Sequence, residues 1–132
     1  MLTRESGLLG ASGISSDTRD LPEQEDSNER ARVAMQLYIR TIVREIGALT
    51  ALLGGLDMLV FTAGVGENNP VIRERVCHRL AYFGVQLDPD ANSRNAPVIS
   101  SPESRVRVLV EPTNEEWIAA THAHRLLAAE KA

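Results

Sequence analysis

The chain has 132 residues, with 14 basic and 18 acidic side chains and a formal charge of −4. That length suits one domain or part of one, and 43% hydrophobic residues with 24% charged ones exclude a disordered, collagenous or disulfide-built chain. Lys131, next to the C-terminus, is the only lysine, which excludes P-loop and Schiff-base chemistry. The acidic balance and the five aromatic residues argue against nucleic acid as the main partner.

Cys77 is the only cysteine, so it forms no internal disulfide, and it has no partner at zinc-ligand spacing. This usage is typical of a reducing cytoplasm. No apolar run approaches the roughly 18 residues that span a bilayer. The first 25 residues carry too many charges for a signal peptide. We therefore expect a cytoplasmic protein without a membrane partner.

The first element follows a polar segment, residues 21–26, that is expected to be an exposed connection. From residue 28 to residue 53, apolar side chains recur at steps of three and four, which predicts a long amphipathic helix. Asp26 and Glu29 are expected to form its capping box, and Gly54 to end it. A second apolar face exceeds what one packing contact requires, so part of this helix is expected to meet another chain.

A short apolar run without alternation, residues 57–62, predicts a strand buried on both faces, as in a parallel sheet. Asn69 and Pro70 then open a second helix that ends near Gly84. Residues 85–100 are expected to form turns with extended pieces at 85–87 and 97–100. A further strand over residues 105–110 precedes a final helix, whose capping box is formed by Thr113 and Glu116. Strands alternating with helices predict a parallel α/β layer.

The segment from Thr62 to Pro70 carries two glycines between a predicted strand and a predicted helix. Glycine lets a ligand approach the backbone, and unpaired N–H groups at a helix start favour phosphate. The segment matches neither GxGxxG, because Asn69 replaces the third glycine, nor the P-loop, because it lacks lysine. A phosphate site and a plain strand-to-helix turn therefore stay equally open.

Two other segments contain side chains that suit a nucleotide or a metal. Glu115 follows a strand end, where sites gather in open α/β sheets, and is free to face a metal or solvent, although a helix-start carboxylate is the simpler alternative. Asp17 and Arg19 suit ribose hydroxyls and a base or phosphate, and a surface loop explains them equally simply. The three histidines form no ligand pattern, and Cys77 is expected to be a packing residue.

Five segments together resemble the acetate kinase family, in the same order and at similar intervals: residues 7–10, 15–21, 61–68, 72–73 and 112–116. The resemblance implies part of a ribonuclease-H-like lobe of the actin-like ATPase superfamily, with a mostly parallel sheet and flanking helices. Residues 1–27 would be the adenosine-side loop region, 28–54 the long helix, and 55–132 a strand-helix-strand-helix unit. It covers only about the C-terminal third of the family, so we expect a fragment.

The resemblance also implies a chemistry, the reversible transfer of a phosphoryl group from ATP to acetate with Mg²⁺. It assigns nucleotide contacts to Asp17, Thr18, Arg19, Gly64, Val65, Gly66, Glu67 and Asn68, and magnesium to Glu115. The family's acetate-binding and catalytic residues lie upstream of Met1, so the isolated chain is expected to be inactive. A homodimer through the long helix is also implied. A non-catalytic nucleotide-binding or dimerisation module, and a propionate or butyrate kinase, remain alternatives.

Overall fold

The computed structural model describes residue 13 and residues 24–113. In chain order its elements are α1 (Glu29–Leu53), β1 (Met58–Thr62), α2 (Ala63–Asn68), α3 (Pro70–Arg79), a 3-10 turn (Ala81–Phe83), α4 (Pro89–Ser93) and β2 (Arg107–Glu111). The final helix predicted after Thr113, with Glu116 in its capping box, lies outside the described residues. Within this part of the chain, no helix is both long and apolar enough to cross a membrane.

Helix α1 forms where the apolar spacing predicts it, but its cap differs. Asn28 is the N-cap, and its side-chain oxygen accepts from the amides of Arg30 and Ala31 at 3.0 and 3.3 Å. The predicted capping box of Asp26 and Glu29 is wrong, because Asn28 already satisfies the first-turn amides and Glu29 instead pairs with Arg32 at 3.3 Å. Gly54 ends the helix as predicted, in the left-handed conformation with φ 77°.

The connection before α1 is less exposed than its polarity suggests. Glu25 is half-buried, and its carboxylate accepts from the guanidinium of Arg75 on α3 at 2.6 and 2.9 Å. This ion pair joins the start of α1 to α3. The polar segment is therefore packed against α3 at Glu25, because the Glu25 carboxylate forms an ion pair with Arg75.

The two strands form a parallel pair, as predicted for an α/β layer, in a register that runs from Met58 opposite Arg107 to Thr62 opposite Glu111. On its other side β2 meets an antiparallel segment, through the bridge of Val98 with Leu109. The extended pieces predicted at 85–87 and 97–100 also meet, through a bridge of Leu87 with Ser100. Between them α4 forms where only turns were predicted, since Asp88 caps it by accepting from the amide of Ala91 at 3.0 Å.

The prediction that the first strand is buried on both faces is wrong for the described structure. Exposure alternates along β1, and Met58 and Val60 keep 47% and 45% of their surface exposed. Leu59 and Phe61 pack against the core instead. The described helices cover one face of this two-stranded sheet, so every second side chain of β1 stays at the surface.

The core lies between α1, α3 and β2. Its fully buried side chains include Met35, Ile72, Val76, Leu80, Ile99, Val106 and Val108. Helix α3 starts at Pro70 as predicted, with the Asn69 side chain accepting from the Ile72 amide at 3.1 Å. Its last turn tightens into the 3-10 turn before Gly84, which has φ 92°. Cys77 is buried as predicted for a packing residue.

Candidate functional site

The carboxyl ends of the two strands lie side by side. Thr62, the last residue of β1, stands opposite Glu111, the last residue of β2. The glycine segment therefore leaves the sheet next to Pro112 and Thr113. Because parallel strands end at one edge of a sheet, this edge gathers the two segments that the sequence singled out from different parts of the chain.

The glycine segment is a short helix, α2, where the sequence predicted a glycine-bearing turn between a strand and a helix. It begins at Ala63, which has φ 58°, a left-handed conformation that L-residues adopt at a cost. The Ala63 amide donates to the Thr113 hydroxyl at 2.8 Å, and the Thr62 and Thr113 hydroxyl oxygens lie 3.0 Å apart. The contacts of Thr113 thus hold the strained entry to α2.

The two glycines of α2 have different reasons to be there. A Cβ on Gly66 would lie 3.3 Å from the carbonyl carbon of Phe61, so close packing explains that glycine. A Cβ on Gly64 would meet nothing within 4 Å, and Gly64 has no positive φ. Neither backbone conformation nor packing requires glycine at position 64, where the residue is exposed. The backbone at the start of α2 is thus open to close approach at Gly64.

The Glu67 carboxylate faces the end of β2. Its Oε1 accepts from the Thr113 amide at 2.7 Å and from the Thr113 hydroxyl at 2.6 Å. These two hydrogen bonds, with a weaker contribution from the Ala63 amide, lower the pKa of Glu67 below its ordinary value. The carboxylate is therefore charged at neutral pH and already has partners within the protein.

Asn68 completes the exposed side of α2. Its side-chain amide donates to the carbonyl oxygen of Gly64 at 3.0 Å, which closes the short helix on itself. Asn68 and Val65 are both exposed, the latter to 36%. The exposed residues of α2 are thus Ala63, Gly64, Val65 and Asn68, and the family resemblance assigns nucleotide contacts to the last three.

Arg73 holds the other end of α2 from inside the protein. Its side chain is fully buried, and its NH1 donates to the carbonyl oxygens of Gly66 and Glu67, each at 2.8 Å. The remaining donors reach the side-chain and main-chain oxygens of Asn92, each at 2.8 Å, and the side chain of Asn95. All five guanidinium hydrogens are used, and burial lowers the pKa of Arg73.

A cavity of about 260 Å³ adjoins this edge. It is bounded by the end of α2, the end of β2 and the segment after α4, through Glu67, Asn68, Asn95, Pro97, Val110, Glu111 and Pro112. Within residue 13 and residues 24–113, no group of three or more histidine, cysteine or acidic side chains is arranged to hold a metal.

The structure describes one of the three predicted groups of site residues. Gly64, Val65, Gly66, Glu67 and Asn68 lie together at the strand ends. Asp17, Thr18, Arg19 and Glu115 lie outside the described residues. Sequence reasoning assigned no role to Arg73 or Thr113 at this edge. A signal for Arg73 exists, because helical spacing places it on the same face as Val76, Cys77 and Leu80, where a charged side chain must find buried partners.

Comparison with known proteins decides the family. The family model described as "Acetokinase family" matches residues 1–121. The chain belongs to the acetokinase family. An acetate kinase of Rhodopseudomonas palustris strain TIE-1 is 51% identical over 128 residues, and one of Pseudothermotoga lettingae is 44% identical over 130. Each alignment covers 96% of this chain and 32% of the relative, so the chain spans about a third of the length of the curated relatives it matches.

Three solved structures of acetate and propionate kinases are similar to this chain in fold. The crystal structure of Porphyromonas gingivalis acetate kinase superposes with a TM-score of 0.82 at 43% identity, over 93% of this chain and 32% of that one. Acetate kinase from Entamoeba histolytica gives 0.84 at 32% identity, over 92% of this chain and 34% of that one. A propionate kinase from Francisella tularensis gives 0.77 at 32% identity, over 85% and 29%.

Proposed function

We propose that this chain is the nucleotide-binding part of an acetate kinase, which transfers the terminal phosphoryl group of ATP to acetate reversibly and with Mg²⁺. Membership of the acetokinase family supports the reaction, and identity of 44–51% to acetate kinases along nearly the whole chain supports the substrate class. The family's remaining two thirds would supply the acetate site and the catalytic side chains.

Gly64 is the observation that carries a nucleotide site on this chain. It is an exposed glycine in a helical conformation with open space where a Cβ would stand. A helical glycine without a structural reason costs about 0.5–1 kcal/mol relative to alanine. Close approach of a phosphate to the backbone of α2 accounts for keeping it.

Each segment of the site then has a role in holding the nucleotide. The backbone of Gly64–Gly66 would face the phosphates, and Asn68 the ribose. Asp17, Thr18 and Arg19, outside the described residues, would bind the adenosine end. Phosphoryl transfer depends on positioning and on neutralising charge, so a chain that only holds the nucleotide still makes a large contribution to catalysis.

Magnesium is proposed to bind at this edge of the sheet. Mg²⁺ is bound by one or two carboxylates together with substrate phosphates, so the lack of a three-residue cluster among the described residues does not count against it. Glu115, two residues beyond Thr113 in the sequence, is the proposed ligand. When bound, the ion would neutralise charge on the phosphates. Thr113 and Glu67 fix the segment that leads to Glu115.

The type of lobe, the cellular location and the homodimer are also proposed. The α/β layer with its parallel strands is compatible with a ribonuclease-H-like lobe of the actin-like ATPase superfamily, in a cytoplasmic enzyme. The exposed leucines of α1 support a homodimer contact, since Leu49, Leu52 and Leu53 are 57%, 84% and 77% exposed.

A propionate kinase is the second candidate, because one from Francisella tularensis superposes with a TM-score of 0.77. The acid-binding side chains belong to the other two thirds of the family by resemblance, so both candidates use this chain in the same way. The kcat/KM values for acetate, propionate and butyrate, measured on the complete kinase, separate the two.

A hybrid enzyme tests the proposed function. This chain replaces the corresponding third of the Rhodopseudomonas palustris acetate kinase, with which it shares 51% identity. We expect acetate-dependent formation of ADP in a coupled assay from the hybrid, and none above background from the 132-residue chain alone. A folded hybrid without activity would refute the proposal, and turnover by the chain alone would show that the catalytic residues are misplaced.

A further inference from the structure

The contact between Glu67 and Thr113 joins two segments that are 46 residues apart in the sequence. On one side is the glycine helix α2, and on the other is the end of β2. Thr113 contributes its amide and its hydroxyl, and both bonds end on the same atom, Oε1 of Glu67. The carboxylate that the resemblance assigned to the nucleotide is therefore directed at the protein in this structure.

The Thr113 hydroxyl has further partners. Because it donates to Glu67, it accepts from the Ala63 amide at 2.8 Å, and the Thr62 hydroxyl lies within 3.0 Å as a second donor. One side chain at the end of β2 thus sets the start of α2 through Ala63 and its middle through Glu67. These bonds link the end of β2 to α2 at two points.

We propose that Glu67 is a positioning residue, which sets the glycine helix relative to the segment after β2 so that phosphates and magnesium meet in one place. This inference rests on the proposed function and deepens it. Two segments that each hold part of one ligand must keep a fixed separation, and errors of about 1 Å weaken such sites strongly. The bonds from Thr113 supply that fixed separation.

The geometry distinguishes positioning from direct binding. Since both bonds end on Oε1, the amide oxygen of a glutamine can accept them, so Glu67→Gln keeps the contact and loses only the charge. Glu67→Ala loses both. If Glu67 bound magnesium directly, both substitutions would weaken binding equally, because both remove the charge that the metal needs. At Thr113, valine removes the hydroxyl and serine restores it.

The experiment is calorimetric titration of ADP into the unsubstituted chain and these four variants, with Mg²⁺ and again with EDTA. We expect Glu67→Ala and Thr113→Val to bind ADP about tenfold more weakly in Mg²⁺, the low end for groups that orient metal ligands. Affinity in EDTA should stay within about twofold, and Glu67→Gln and Thr113→Ser should resemble the unsubstituted chain. Glu103→Ala, at an exposed glutamate before β2, is the matched control. Thermal unfolding establishes that each variant is folded.

Two outcomes overturn the positioning role. If Glu67→Gln weakens binding as much as Glu67→Ala does, the carboxylate itself is a ligand. If neither Glu67→Ala nor Thr113→Val changes the ratio of affinities with and without Mg²⁺, the contact is only structural. If the unsubstituted chain binds no ADP, both the proposed function and the positioning role of Glu67 are wrong for this chain. The titration of the unsubstituted chain shows this result before any variant is made.

Discussion

Arg73 donates to the main-chain oxygen of Gly66 at 2.8 Å, so a fully buried cation holds the glycine helix from the core side. Its five hydrogen bonds end on carbonyl and amide oxygens of Gly66, Glu67, Asn92 and Asn95. The buried guanidinium of Arg73 thus stabilises α2, whose opposite side faces solvent. Substitution of Arg73 should therefore change the stability of this edge of the sheet.

Arg73→Lys should lower the free energy of unfolding by about 2–4 kcal/mol, because an ammonium has three donors for five acceptors and each orphaned buried acceptor costs about 1–3 kcal/mol. Urea unfolding measures the loss. Arg79→Lys, at an exposed position on the same helix, is the matched control and should stay within about 0.5 kcal/mol. Equal effects of the two substitutions would show that the network contributes little.

The two glycines of α2 should respond in opposite directions. Gly64→Ala should raise the free energy of unfolding by up to about 1 kcal/mol, since alanine favours the helix and its Cβ meets open space. Gly66→Ala should lower it by about 1–3 kcal/mol, because the Cβ would press on Phe61. Urea unfolding of both variants checks the contrast. A loss of stability in Gly64→Ala would mean that position 64 is glycine for structural reasons.

Cys77 should be unreactive in the folded chain. Burial raises the pKa of its thiol from an ordinary 9.0 to about 12, so the reactive thiolate is scarce at neutral pH. The neutral thiol's contribution to stability is complete below pH 9.0 and is lost as the pH rises toward 12. A chromogenic disulfide reagent at pH 8 should label Cys77 rapidly in urea and only slowly without it. Rapid labelling of the native chain would contradict its burial.

The end of α1 should mediate association. Light scattering across a range of concentrations should show a species of twice the 14.4 kDa mass of the chain. Replacing Leu52 and Leu53, 84% and 77% exposed, with glutamine should shift it toward monomer because apolar area is removed from the contact. The same change at Val98, 37% exposed and outside α1, is the control. A strict monomer at high concentration would mean that this surface is not a dimer contact.

Local patterns in the sequence predicted the elements better than they predicted the site. Spacing and caps located α1 and α3, because the apolar periodicity of a helix and the signals of Asn69, Pro70 and Gly54 are local. The N-cap of α1 is Asn28 and not the predicted Asp26, because several polar residues in this segment are suitable caps. The exposed face of β1 could not be predicted, since its burial depends on which elements cover the sheet.

The site itself depends on contacts between distant residues. The glycine segment was recognised, but its helical conformation and the left-handed Ala63 depend on Thr113, 50 residues away. The same holds for Glu67, whose carboxylate was assigned to a nucleotide on resemblance and faces Thr113 in the structure. The candidate site residues could therefore be recognised in the sequence, whereas their hydrogen-bond partners could be identified only from the folded structure.

The backbone at Gly64 is the proposed point at which α2 binds a nucleotide. Calorimetric titration of ADP with Mg²⁺ into the unsubstituted chain and Gly64→Ala tests it most directly. We expect saturable binding by the unsubstituted chain and at least about tenfold weaker binding, about 1.4 kcal/mol, by the variant, although the variant is the more stable protein. Equal affinity of the two folded proteins, or no binding by either, would contradict this proposal.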